Sequence, residues 1–511
     1  LFALSDQEIE EQIKALMKDG RNGGFDVEQL CEHGRNVRSV LQGQDQRFFK
    51  VLDTARLDNG GVIAGLECCR HSSFKDIISF VPAAGASSRW IAPLESLIFA
   101  LQSKDFSSIL REINVLIADE SIRNCPLPTS LKGLIDSVKK DGKIPDQIST
   151  DSILADIDAP KALFPSVLEG HSFLEMKTRE VSSIDGVGGQ VFVCPNGHTE
   201  LFRRKLEEIE GVDCRTGISF FEQGAALSTI RWKDDGSICV NQSGEIASVS
   251  AGHGSLLRLL PKVKDLYPNV KSVWIRNIDN VVGTSQKVVD ATKNFLFTHQ
   301  TILDVVVEMR QRLSDGDIEG ASDISGDLIL KLGMHGRDKR SIDPIQYLVE
   351  RIFHAPLKVG ASPDDILKIL NRKVVTMGQV SNTNQDVGGT PAFCEVYGVK
   401  QKLCLEVPHA SFKDRKDFLE NPQLATHFNP VFVAAEIPSK DDLSIWNDHP
   451  FWLVAKKTYR GQDVWYQESI LYEMLGSSAF CNVTFVEVPR SLFNPHKSLT
   501  DASGRRLSNW S

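Results

Sequence analysis

The sequence has no apolar run near the ~20 residues that a membrane-spanning helix needs, and its longest are short pieces such as 97–101 and 305–307. It also has no surplus of positive charge. Lys and Arg number 58 against 67 Asp and Glu, a net charge of −9. That balance argues against nucleic acid and against an anionic membrane as partners, since both call for a broad basic field. It leaves room for a local basic pocket around a phosphorylated small molecule. Cysteine is sparse, at 10 in 511 residues, and its scattered spacing makes no disulfide framework. Reduced thiols in a cytoplasmic protein are the expectation. No repeat of 20–50 residues and no low-complexity tract is visible. Residues 1–19 are acidic and amphipathic, without the basic-then-apolar order of a secretory leader.

What is present is the material of an ordinary globular protein, with 41% hydrophobic and 24% charged residues. Residues 1–75 read as a helical N-terminal region: Ser5-Asp6-Gln7-Glu8 offers a cap, and Ile9, Ile13, Leu16 and Met17 recur at helical spacing. Residues 27–53 look like further helix. From residue 76 the texture changes to short apolar runs alternating with helical patterns, at 77–81, 190–194, 218–221 and 272–275. That alternation predicts an α/β fold with a mostly parallel mixed sheet and helices on both faces. A core over 76–285 would carry a helical insertion at about 94–155. Residues 286–376 read as a second helical insertion, and 377–511 as strands of the core with an α/β C-terminal part.

Four short elements stand out for their chemistry. The 77–81 run ends in Ala83-Ala84-Gly85-Ala86-Ser87-Ser88-Arg89. Small residues let the backbone approach a ligand, N–H groups there can cradle phosphate, and a helix from Pro93 would add its positive end. A tight strand-to-helix turn without a ligand would use the same residues. Pro160-Lys161 sets a lysine behind a proline, which suits a triphosphate but also an ordinary solvated loop. Gly252-His253-Gly254 could lie against a flat ligand or simply cap a helix. Finally, the 273–280 stretch delivers Asp279 at the end of an apolar run, where open α/β sheets present ligand carboxylates. An Asp turn is the plainer alternative.

In this order the elements resemble the nucleotidyltransferase superfamily, and within it the UDP-sugar pyrophosphorylases of the UTP–glucose-1-phosphate uridylyltransferase type. The likeness takes in the loop at 81–89, Pro160-Lys161, Phe220-Phe221-Glu222-Gln223, Gly252-His253-Gly254 and Asn277-Ile278-Asp279-Asn280. It continues through Val380-Ser381-Asn382, Gly388-Gly389-Thr390, Leu405-Glu406-Val407, Phe428-Asn429 and the segment from Val488 to Lys497. The chain is also similar, over nearly its whole length, to a bacterial domain family of unknown function with a Val-Pro-Ala-x-Gly-Ala loop. Two departures are plain. The first loop has Ala84-Gly85 where the pyrophosphorylases usually have two glycines, and Pro160 lies far beyond Arg89.

The resemblance implies a nucleotide-diphospho-sugar transferase-like, Rossmann-like fold. It also implies transfer of a nucleotidyl group, uridylyl first among them, from a nucleoside triphosphate to a sugar 1-phosphate. Arg89, Lys161 and a Mg²⁺ held by Asp279 would be the catalytic set. Ala84, Gly85, Gln223, Gly252 and His253 would hold the nucleotide. Asn277, Asn382, Gly389 and Glu406 would face the sugar. Two other readings stay open: a sugar-nucleotide-binding or regulatory protein without turnover, and a glycosyltransferase on the same fold. Cys194 and His198 have a spacing that zinc could use, but no second pair lies nearby, and a strand end with a turn is expected there.

Overall fold

The protein is described from a computed structural model, which covers residues 5–499 apart from 18–26, 43–48, 53–60, 69–71, 86–87, 123–124, 146, 167–170, 210–216, 241–243, 335–342, 359, 384–388, 397–398, 422–423, 448–452 and 460–461. The architecture is the expected α/β one, mixed and mostly parallel strands with helices. The chain divides into two compact units. The first comprises Leu1–Ile78, Gln223–Ile275 and Lys293–Arg490; the second comprises Ser79–Glu222, Arg276–Thr292 and Ser491–Ser511.

Strands Val62–Ala64, Cys481–Glu487, Lys373–Ser381, Phe432–Glu436 and Ser272–Arg276 lie side by side in that order, all in the first unit up to Ile275. Cys481–Glu487 runs parallel to both of its neighbours, and Phe432–Glu436 runs antiparallel to Lys373–Ser381. The central strands are buried almost throughout, with Thr376, Gln379, Asn482 and Thr484 among their apolar residues. The long helix Gln286–Ser314 is tied to them by His299. The Nδ1 of that ring lies 3.0 Å from Thr376 Oγ1, and its Nε2 lies 2.9 Å from Ser272 Oγ.

The N-terminal helices behave largely as their pattern predicts. Ser5 and Glu8 cap Asp6–Met17, with Glu8 N donating to Ser5 Oγ at 3.3 Å. Ile9 and Ile13 are fully buried in a cluster with Leu30, Val37, Ile230 and Trp232. The expected helix over 27–53 is shorter, spanning Val27–Leu41. Lys50–Val51 is a strand instead, paired with Thr390–Val396. Its partner comes from the far end of the chain, so no local pattern could announce it.

In the second unit, Ala83 N donates to Val193 O at 2.8 Å and Gln190 N to Gly217 O at 2.6 Å. These bonds set Gly189–Pro195 between the end of Ile77–Pro82 and the start of Ile218–Gln223. Residues 95–157 hold four helices, Glu95–Ser103, Phe106–Ala118, Thr129–Asp141 and Thr150–Ile157. Asp105 caps the second, accepting from Ser107 N and Ser108 N, and Ser149 caps the fourth. Their apolar faces share one cluster with Trp90, Phe164, Phe173 and Phe192. The helix expected from Pro93 is different in kind. Ser88–Ile91 is a single turn, and Pro93 sits in the 3₁₀ turn Ala92–Leu94 that separates it from Glu95–Ser103. The helix that begins at Ser88 is therefore not a long one, and the helix-dipole support expected there is cut to one turn.

Candidate active site

Lys161 and Asp279 meet, although they lie far apart in sequence. Pro160, whose φ is held by its ring, is the N-cap of the one-turn 3₁₀ helix Lys161–Leu163. Lys161 is only 8% exposed, a rare state for a lysine without partners. Its Nζ donates to Asp279 Oδ2 at 3.2 Å and to the carbonyl oxygen of His496 at 2.6 Å. The ammonium also lies 5.5 Å from the Trp90 ring centroid and 5.6 Å from that of Phe173, close enough for cation–π attraction. The two rings pack edge to face at 5.5 Å. Every residue of this group belongs to the second unit.

Asp279 owes its place to a buried charge network. The strand Ser272–Arg276 ends in Arg276, whose guanidinium is buried. Arg276 Nη1 donates to Glu180 Oε2 at 2.8 Å, and its Nη2 donates to Ser79 Oγ at 2.9 Å. Lys177 Nζ donates to the same Glu180 oxygen at 2.8 Å and also to the Asn280 carbonyl. Glu180 Oε1 accepts from Val282 N at 2.8 Å and Gly283 N at 3.3 Å. From another direction, Asn494 N donates to Asn280 Oδ1 at 2.7 Å, and Asn280 Nδ2 donates to Leu492 O at 2.9 Å. His496 N donates to Asp279 O at 2.8 Å. Residues 279–283 are thus bonded by Lys177, Glu180 and the 492–496 segment. Burial pushes Lys177 and Arg276 below their ordinary pKa values, while the Glu180 carboxylate opposes the shift in both.

Asp279 Oδ1 is shielded from solvent and accepts no hydrogen bond from a described residue. A buried carboxylate oxygen without a donor is unfavourable, and a hard cation resolves it. A carboxylate oxygen is a ligand that Mg²⁺ accepts, since it binds through one or two carboxylates and takes its other ligands from water and phosphate.

The remaining expected residues fall as follows. Ala84 is half-buried and Gly85 exposed, with nothing within 4 Å of where a Gly85 side chain would begin, so the loop backbone is open to a ligand. The backbone of Arg89 lies in Ser88–Ile91, but its side chain, like that of His253, lies outside the described residues. Asn277 is half-buried, just past the Ser272–Arg276 strand and two residues before Asp279. Gln223, Gly252, Asn382, Gly389 and Glu406 belong to the first unit. Gly252 has φ +82, a conformation that favours glycine, and a Cβ there would lie 3.9 Å from Glu468. Gly389 is needed for close approach, because a Cβ would come 2.7 Å from Cys404 Sγ. The same Cβ would be 3.9 Å from Glu406 Cγ and 3.9 Å from Asn429 Cβ, so these three residues adjoin. Asn382 lies beside the segment that leads into Asn429, its N donating to Thr426 O at 2.8 Å and its Nδ2 to Ala425 O at 2.9 Å.

Asn429 is a hub that the sequence marks only through its Phe-Asn pair. Its Oδ1 accepts from Tyr472 Oη at 2.6 Å and from Val431 N at 2.8 Å, and its Nδ2 donates to Gly378 O at 2.6 Å. These bonds hold Val431 at φ 58, a strained value for a β-branched residue. Lys177 and Glu180 escaped the sequence reading, while Arg276 and His496 lay inside motifs it quoted but were given no role. Their signal was present: an arginine closing an otherwise apolar strand, and a Lys and Glu three apart on one helix face. The Cys194–His198 segment is the expected strand end and turn, with Cys194 Sγ 3.4 Å from Thr199 Oγ1 and His198 Nδ1 2.9 Å from Asn196 O.

Residues 190–503 match the family described as Domain of unknown function (DUF4301). The chain belongs to this family. The match takes in Asp279 and the 492–496 segment that fixes it, whereas Lys161 lies before its first residue. No curated protein matches the chain. Among solved structures, this DUF4301 member is similar to the UDP-glucose pyrophosphorylase of Leishmania major, recorded in open and closed structures. It is 12% identical with a TM-score of 0.50, covering 98% of this chain and 79% of that one. A point mutant of the same enzyme in complex with UDP-glucose gives 11% identity and a TM-score of 0.50, with 96% and 78% covered. A UDP-glucose phosphorylase from Trypanosoma brucei is 13% identical with a TM-score of 0.47, covering 96% and 78%. At such identity the Leishmania likeness shows the fold, the nucleotidyltransferase-like α/β fold that the sequence motifs led us to expect.

Proposed function

We propose that the protein is a sugar-1-phosphate nucleotidyltransferase, with uridine as the first base to test. The observation that carries this reading is the Lys161–Asp279 pair: a buried ammonium beside a carboxylate with one oxygen left for a cation. In the reaction, a phosphate oxygen of the sugar 1-phosphate forms a bond to the α-phosphorus of the triphosphate. The bond from that phosphorus to the bridging oxygen breaks, and pyrophosphate leaves with the electron pair. Such chemistry asks the protein for positioning and for offset of negative charge, with no covalent step of its own.

Lys161 would offset charge on the triphosphate, and Arg89 would add a second cation by its place after the loop. The rings of Trp90 and Phe173 hold the Lys161 ammonium in position. Asp279 would hold Mg²⁺, which when bound supplies Lewis-acid neutralisation of phosphate charge. Ala84 and Gly85, with Gln223, Gly252 and His253, would take the nucleotide. Asn277, Asn382, Gly389 and Glu406 would take the sugar, whose hydroxyls need buried donors and acceptors.

The test supplies UTP, Mg²⁺ and a panel of sugar 1-phosphates, and measures pyrophosphate release. Release with at least one sugar supports the reading. Binding of UTP or of a nucleotide sugar without release turns it toward a non-catalytic binding protein, and transfer of the sugar itself toward a glycosyltransferase.

A further inference from the structure

We propose that Glu406, His409 and Glu473 hold one divalent transition-metal ion, of the zinc or manganese kind. The site lies wholly in the first unit, and the inference does not rest on the nucleotidyl-transfer reading.

The local sequence builds two of the three ligands. The strand Val399–Leu405 ends at Glu406, which is the N-cap of the 3₁₀ turn Val407–His409. In a 3₁₀ turn, residues three apart eclipse one another, so Glu406 and His409 stack on one side. Proline in the first positions of that turn stiffens it. Glu473 arrives from far along the chain, on the short helix Leu471–Leu475. One donor atom from each residue lies within 4.8 Å of the other two. Bond lengths to zinc of about 2.0–2.2 Å would need only small side-chain adjustments from there. His409 Nδ1 and Glu473 Oε1 are already 2.5 Å apart.

Burial supplies the second argument. Glu473 is 1% exposed; its Oε1 lies against His409 Nδ1, and its Oε2 accepts no hydrogen bond from a described residue. Its ion-pair partner among the described residues is His409, itself buried, with a Glu406 donor atom also within 4.8 Å. A carboxylate taken out of water needs donors or a cation, and this one has a single imidazole. Glu406, being half-buried, gives the cluster an opening. The donor set selects the ion. One imidazole with two carboxylates suits zinc or manganese, whereas magnesium and calcium favour oxygen alone. Three protein ligands also leave a position open for water. Among the described residues, this is the one group of its kind.

The experiment strips the 511-residue protein with a chelator and titrates it with ZnCl₂, and separately with MnCl₂, by calorimetry. The expected result is one equivalent of Zn²⁺ or Mn²⁺ bound by the wild type, with a raised melting temperature in its presence. His409→Gln and Glu473→Gln should each weaken binding by at least about 100-fold, more than the loss typical of a supporting residue. Circular dichroism confirms that each variant is folded, and Asp279→Ala should bind as the wild type does. Absence of binding to the folded wild type overturns the proposal and leaves the cluster a buried histidine–glutamate pair. Undiminished binding to both variants overturns it as well, since the ion then sits elsewhere. Turnover enters neither readout, so the proposal stands or falls apart from the nucleotidyl-transfer reading.

Discussion

The two units treat buried polar groups in different ways. The second unit buries full charges: Lys177, Glu180 and Arg276 form one network, and Lys161 and Asp279 form a pair beside it. The first unit has a buried charged pair too, His409 with Glu473, but adds several buried imidazoles that burial keeps neutral. His299 bridges two hydroxyls, His33 Nδ1 lies 3.0 Å from Thr229 Oγ1, and His354 packs against Phe393. Neutral rings cost less to bury and serve to join helices to strands. Buried charges are costly and contribute little net stability, yet they hold geometry firmly once paired. The bonds of the charged network converge on 280–283, next to Asp279, which suits a segment that must present one carboxylate in one place.

The largest effect should come from breaking the charged network. Glu180→Ala leaves two buried cations facing each other and removes the acceptor for Val282 N and Gly283 N. A loss of about 3–5 kcal/mol is expected in denaturant unfolding. A loss under about 1 kcal/mol, the range of an exposed pair, would show that the network is not structural.

The neutral histidines sharpen the contrast through pH. Burial lowers His33 and His299 to about 4 and His354 to about 3, against about 6.5 in an unfolded chain. As pH falls from about 6.5, the unfolded chain takes up protons that the folded one refuses. The part of stability owed to His33 and His299 therefore falls through the window from 6.5 to about 4, and that owed to His354 from 6.5 to about 3. Each ring contributes on the order of 3 kcal/mol at full extent. Unfolding measured at pH 7 and pH 5 should show the drop, and His299→Asn should flatten it. An unchanged slope in that variant would remove His299 from the account.

Lys161→Ala and Asp279→Ala should each cut turnover by at least about 100-fold, or about 2.7 kcal/mol, with the fold intact by circular dichroism. Near-normal rates in both would end the proposed mechanism. The smallest effects should be alike in the two units, because exposed caps do not sense the interior. Asp105→Ala in the second unit and Ser362→Ala in the first should each cost about 1 kcal/mol in thermal unfolding. A large difference between them would show that the units differ at their surfaces as well.

Much of this was legible in the chain. The apolar runs at 77–81 and 272–275 marked central strands, because strands covered on both faces carry little else. Lys161 and Asp279 were singled out by their proline and by a strand end. Local pattern failed where partners are remote. Nothing near Lys50 announces a strand whose partner is Thr390–Val396, and nothing near Pro93 shows that the turn before it stops at Ile91. His409 and Glu473 drew no notice, since each is an ordinary residue until a distant segment brings them together.

Composition and periodicity by themselves determined the α/β class, the N-terminal helices, and the exclusion of a long apolar span or a basic field. These depend on spacings of a few residues and on sums over the chain. Tertiary structure alone decided that Lys161 finds Asp279, that Glu180 is shared by two cations, and that Glu473 lies against His409. Those contacts join segments up to several hundred residues apart. Their energies come from burial and from low local dielectric, which no run of neighbouring residues encodes.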